Sequence, residues 1–108
     1  MPRWTEVAKL DELTPNQCRA VTVEDVPLVL VRQGDEVFAL HNVCSHMDYP
    51  LHEGDVDDTT LMCPLHGAKF DLRTGAVRAM PAARGIKSFA VSIEDGAVRV
   101  DADEVADL

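Results

Sequence analysis

The sequence predicts an all-β fold, a sandwich or barrel of antiparallel strands, and three observations carry that reading. Short apolar or alternating runs recur along the 108 residues with turn signals between them. Gln33-Gly34-Asp35 and Asp95-Gly96 each sit between two such runs, as hairpin turns do. Residues 28–32 form a strand candidate whose continuous apolar run, Leu28 to Val31, suits burial on both faces.

In order along the chain, residues 4–8 form a first strand, with Trp4 a core or edge packing residue. Residues 11–15 have turn or short helical character and end at the Pro15 break. Strands follow at 17–23 and 28–32, and after the Gly34 turn residues 37–40 return. The stretch Glu53-Gly54-Asp55-Val56-Asp57-Asp58 carries four acids without the twelve-residue pattern of a calcium loop, so it reads as a solvated turn leading into a strand at 60–62. Residues 69–72 run into Arg73-Thr74-Gly75, where glycine can take a positive φ. Phe89, Val91 and Ile93 alternate along one strand, and Val98 and Val100 along the next. The last eight residues hold four acids and no base, the composition of a frayed tail.

Length allows one domain, residues 1–108. No run of eighteen apolar residues occurs, and Met1-Pro2-Arg3-Trp4-Thr5-Glu6 lacks the apolar stretch of a secretory signal, which predicts a cytoplasmic protein away from membranes. Ten basic against nineteen acidic residues give a net charge of −9, which disfavours nucleic acid and anionic membrane and favours docking to basic patches on other proteins. Three cysteines, an odd and sparse set, fit a reducing compartment, with Cys18 a small strand residue.

The chemistry lies between Cys44 and Asp71. Cys44 and His46 form a C-x-H pair, Cys63 and His66 a C-x-x-H pair, and sixteen residues, 47–62, separate them. Thiolates and neutral imidazoles at such spacings suit a transition metal. A single tetrahedral zinc is one reading. The order argues for another, because zinc sites commonly put both Cys in one pair and both His in the other. Here each pair holds one of each, which suits two irons clamped between two loops. His41 and His52 fall outside the pattern, and Met47, Tyr49, Pro50 and Leu51 read as an apolar shield or a partner contact.

These residues resemble the Rieske family. Cys44-Ser45-His46 is similar to its first ligand loop and Cys63-Pro64-Leu65-His66-Gly67 to its second, and the resemblance extends to Phe70-Asp71, the Thr74-Gly75 turn and, more loosely, a Pro81 loop over the cluster. It implies an antiparallel β-sandwich base with a small cluster-binding insert at one tip, at about residues 42–80, holding one 2Fe-2S cluster per chain. Cys44 and Cys63 would hold the inner iron, and His46 and His66 the outer one. Where the respiratory branch of the family has a disulfide between the loops, this chain has Tyr49 and Leu65; where that branch places Ser and Tyr hydroxyls near the cluster, it has Ala68 and Phe70. Missing hydrogen bonds to the reduced cluster predict a potential at the lower end of the Rieske range, which runs from roughly −150 to +300 mV.

Nothing else in the chain suggests catalysis: it contains no G-x-G-x-x-G loop, and it is too short to add the catalytic domain of an oxygenase α subunit. The resemblance therefore implies a one-electron carrier passing electrons from a flavin-dependent NAD(P)H ferredoxin reductase to a terminal oxygenase of the aromatic ring-hydroxylating type, and a small acidic carrier that must exchange partners is expected to be a monomer. The alternatives are a small subunit of a nitrite reductase-like enzyme, a Rieske protein of iron-sulfur assembly or redox sensing, and a structural zinc module.

Overall fold

Residues 28–31 decide the architecture. Leu28, Val29, Leu30 and Val31 are all fully buried, and because successive side chains of a strand point to opposite faces, this strand must be covered on both sides. The computed structural model, which describes residues 3–44, 50–64, 67–79 and 84–106, meets that requirement with three antiparallel sheets. The middle sheet contains β2 (Cys18–Val23), β3 (Val26–Gln33), β4 (Glu36–His41) and, further along the chain, β9 (Ser88–Phe89), in the order β2-β3-β4-β9.

On one face, Leu28, Leu30, Val37, Ala39 and Phe89 pack with Ala8, Val98 and Val100 of a three-stranded sheet. That sheet is β1 (Trp4–Lys9), β11 (Ala97–Asp101) and β10 (Val91–Glu94), ordered β1-β11-β10. On the other face, Val29, Val31 and Leu40 pack with Leu61, Phe70 and Leu72. Leu61 and Phe70 belong to a meander of short strands, β5 (Asp55–Asp57), β6 (Thr60–Met62), β7 (Lys69–Asp71) and β8 (Val77–Ala79). The fold is thus a double sandwich around one shared sheet.

Tight turns set the registers. β2 and β3 pair up to Val23↔Val26, leaving Glu24 and Asp25 as a two-residue loop with φ of 51° and 64°. β10 and β11 close in the same way at Glu94↔Ala97 over Asp95 and Gly96, and β3 and β4 at Gln33↔Glu36 over Gly34 and Asp35. Positive φ at both residues of the first two loops, and at Gly34 in the third, matches the twist of the flanking strands.

Three expectations are corrected. The acidic C-terminus is not a frayed tail through its described residues: Ala102–Ala106 form a short helix, α1. Ala102 and Val105, three apart on one helix face, are buried in the first core, and Asp101 Oδ1 accepts the N–H groups of Asp103 at 2.9 Å and Arg3 at 3.2 Å. Phe89, Val91 and Ile93 do not share one strand, because the chain changes sheets at Ala90, pairing Phe89 with Ala39 and Val91 with Val100. The acidic stretch is in part a strand, with Asp55–Asp57 paired to Thr60–Met62 and Val56 packed against the second core between two outward carboxylates. Trp4 lies on an edge strand and is 41% exposed.

Candidate metal centre

Both thiols lie in the second core. Cys44 and Cys63 are 0% and 1% exposed, neither is in a disulfide, and both belong to the apolar cluster formed by Val29, Val31, Leu40, Leu51, Leu61, Ala68, Phe70, Leu72 and Ile86. His46 and His66 lie outside the described residues, as do Met47, Tyr49, Leu65 and Pro81.

Backbone hydrogen bonds join Cys63 to Gly67 and Ala68 at the end of the β6–β7 hairpin. Cys63 N–H donates to the Ala68 carbonyl at 2.7 Å, and Gly67 N–H returns to the Cys63 carbonyl at 3.2 Å. Gly67 has φ of 77°, a conformation that closes this five-residue turn and that a side chain would strain. Behind it, Asp71 organises the β7–β8 turn: its Oδ1 accepts the N–H groups of Arg73 (2.8 Å) and Thr74 (3.1 Å), and its Oδ2 pairs with Arg78 at 2.7 Å. The Arg78 guanidinium and these backbone donors hold the Asp71 carboxyl below the usual carboxylate range against the opposing effect of burial. Gly75, at φ 77°, lets this turn touch Ile86, since Ile86 N–H donates to the Gly75 carbonyl at 2.8 Å and a Cβ on Gly75 would stand 1.9 Å from the Ile86 carbonyl oxygen.

From β4 the chain runs through Asn42 and Val43 to Cys44, and a 3₁₀ turn, Leu51–Glu53, follows Pro50. Leu51 is fully buried beside the thiols, whereas Pro50 is half-buried. Asn42, which the sequence did not single out, is buried and hydrogen-bonded to His52. That contact occupies His52 Nδ1. His41 lies on β4, where burial pushes its imidazole down from the ordinary histidine value.

Two contacts fasten the β5–β8 meander to the middle sheet at its surface. The Arg73 guanidinium forks onto both carboxylate oxygens of Glu36 at 3.1 and 3.0 Å and lies over the Phe38 ring, 5.2 Å from its centroid. The Gln33 amide donates to the Asp58 carbonyl. Asp57 pairs with Lys69 at 2.6 Å, and among the described residues no group of three or more His, Cys, Asp or Glu side chains converges on a cation position. Cys18 Sγ lies 3.8 Å from the Gly54 carbonyl, and burial, with the Asp55 charge second, pushes its thiol up to about 11.

Two thiols outside any disulfide, buried in one apolar core and each followed closely by a histidine in sequence, fit an iron-sulfur cluster in donor chemistry. Comparison with known proteins gives the same answer. Residues 3–90 match the model of the Rieske [2Fe-2S] domain. The chain is 36% identical to the anthranilate 1,2-dioxygenase ferredoxin subunit of Burkholderia cepacia, over 94% of each chain. It superimposes on the ferredoxin of carbazole 1,9a-dioxygenase from Nocardioides aromaticivorans with a TM-score of 0.87 and 34% identity, covering 90% of this chain and 95% of that one. A structure described as a complex of reduced oxygenase and oxidized ferredoxin in carbazole 1,9a-dioxygenase contains a chain matched at TM-score 0.86 and 31% identity, covering 92% and 93%.

The protein belongs to the Rieske [2Fe-2S] domain family. Within that family it is a ferredoxin-type one-electron carrier with a 2Fe-2S cluster, an electron-transfer component and not itself the catalyst.

Proposed function

We propose that Cys44, His46, Cys63 and His66 hold the cluster within a unit of about residues 42–80, and that the protein carries single electrons from a flavin-dependent NAD(P)H reductase to a terminal oxygenase of the aromatic ring-hydroxylating type. The burial of Cys44 and Cys63 in one apolar core, on two separate loops, is the observation that carries this reading. The bound cluster supplies a one-electron couple. Around it the chain provides two thiolates and two neutral imidazoles, a core of Leu51, Leu61, Phe70 and Leu72 that keeps water away, and no hydroxyl at positions 68 and 70.

The partner assignment draws on the ferredoxin-oxygenase complex among the structural relatives and on the names of the dioxygenase ferredoxins. With a net charge of −9, the carrier suits transient docking to basic surfaces, as a monomer in the cytoplasm. No helix among the described residues is long and apolar enough to cross a membrane.

Potentiometric titration with electron paramagnetic resonance on the reduced protein tests the centre. Replacing Cys44, His46, Cys63 or His66 by Ala should each abolish the Rieske-type signal, while Cys18→Ala retains it. Single-turnover mixing of the reduced protein with a ring-hydroxylating oxygenase should reoxidise it. Retention of the signal in any ligand variant, or zinc in place of iron on metal analysis, refutes the assignment.

A further inference from the structure

Asn42 stands two residues before Cys44 and is 5% exposed. Its side-chain Oδ1 accepts the backbone N–H of His52 at 2.8 Å, and its amide nitrogen lies 2.9 Å from His52 Nδ1. Since a backbone N–H can only donate, the oxygen is committed to it and the amide nitrogen must face the ring. Nδ1 therefore accepts, and the neutral ring carries its proton on Nε2. The Asn42 backbone N–H also donates to the Pro27 carbonyl at 2.9 Å, which anchors the residue to β3.

Both polar atoms of one carboxamide thus bind residue 52, within the 3₁₀ turn Leu51–Glu53. This joins the entry of the first ligand loop to its exit and closes residues 43–51 into a ring. On the side toward β2, Val43 and Pro50 line a groove of about 430 Å³ with Ala20, Val21 and Pro27. The polar bridge is the tie on that face.

We propose that Asn42 is the positioning residue of the first ligand loop: its carboxamide clamp on His52 fixes both ends of the loop, so that Cys44 keeps one geometry when the centre is oxidised and when it is reduced. The proposal rests on the assignment of Cys44 and His46 as ligands. Groups that orient ligands through hydrogen bonds typically change metal retention by about tenfold or more when removed.

The test uses the full chain with its cluster, in three variants. Asn42→Ala removes both bonds. Asn42→Asp keeps an acceptor for the His52 backbone N–H and accepts from the ring through the opposite tautomer, so the clamp survives. His52→Phe leaves the backbone bond but strands the Asn42 amide nitrogen. The readouts are the resonance line shape of the reduced protein and the rate of bleaching under chelator. Asn42→Ala should broaden the lines and bleach about tenfold faster, Asn42→Asp should keep the parent line shape, and His52→Phe should bleach at an intermediate rate. If Asn42→Ala does not fold, His52→Phe, a change at an exposed side chain, decides alone. Parent-like line shape and bleaching in Asn42→Ala, or in His52→Phe standing in for it, overturn the clamp, as does an Asn42→Asp variant as impaired as Asn42→Ala. A parent protein without a Rieske-type signal overturns the ligand assignment and the clamp with it; a parent with the signal and indifferent variants overturns the clamp alone.

Discussion

Asp71 and Arg78 face each other across the β7–β8 hairpin, the carboxylate Oδ2 2.7 Å from one guanidinium nitrogen and 3.2 Å from another. The Asp71 side chain is 12% exposed, and its second oxygen caps the turn that Gly75 presses against Ile86. Removing it therefore leaves two backbone donors and a guanidinium without their acceptor. Asp71→Ala should cost about 3 kcal/mol of stability, and Asp71→Asn, which keeps an oxygen for the turn, about half as much, as read by chemical denaturation.

The same residue sets a pH dependence. Its carboxyl titrates below the usual range in the folded protein, so the unfolded chain binds the proton first as pH falls. The contribution is complete above the ordinary carboxylate value, at about pH 4, and is lost as pH drops through the lower folded value. Thermal melts between neutral and acid pH should show a steeper acid limb for the parent than for Asp71→Asn.

The two faces of β3 should respond differently to truncation. Leu30→Ala opens a cavity in the core shared with β11 and should cost about 2–5 kcal/mol while leaving the visible spectrum unchanged. Val31→Ala loosens the core that contains Cys44 and Cys63, and should cost about 2 kcal/mol and also hasten cluster loss. Denaturation followed at once by fluorescence and visible absorption separates the two.

Cys18 should be nearly inert at neutral pH. With its thiol pushed up to about 11, roughly one molecule in three thousand carries the thiolate at pH 7.5. Alkylation of the Cys18 peptide, followed by mass spectrometry, should accelerate steadily from pH 8 to 10, while Asp55→Asn should speed it only modestly, because burial is the larger cause.

Ala68 and Phe70, 1% and 0% exposed beside the cysteines, bring no hydroxyl to the centre. The midpoint potential should fall toward the lower end of the Rieske range, at roughly −150 mV. Ala68→Ser should raise it by about 40 mV if the new hydroxyl forms a hydrogen bond worth about 1 kcal/mol to the reduced form.

Much of this was legible because local physics and tertiary context agree. The apolar run at 28–31 could only be a strand covered on both faces, and Gly34 and Gly96 could only be turns. The cysteine spacing pointed to two loops on either side of a metal, and Cys44 and Cys63 share one buried core. What stayed hidden depended on distant partners. Asp101 caps a helix whose Ala102 and Val105 have a sheet to pack on, and without that sheet the segment reads as four acids at a chain end. Asp55–Asp57 is a strand only because β6 pairs with it. Asn42 carries no sequence signal, since its role needs His52 ten residues away.

Because β3 and β4 feed both cores, the meander that carries Cys63 cannot be lifted out as a portable module. Excised alone, it would lose the floor formed by Val29, Val31 and Leu40, and the remaining sandwich would show those side chains to water. Grafting this centre onto another scaffold, or exchanging its ligand loops with those of a relative, therefore requires the middle sheet to travel with it, or a new sheet surface matched to Leu61, Phe70 and Leu72. Recombination in this fold is constrained by the back of the site as much as by its ligands.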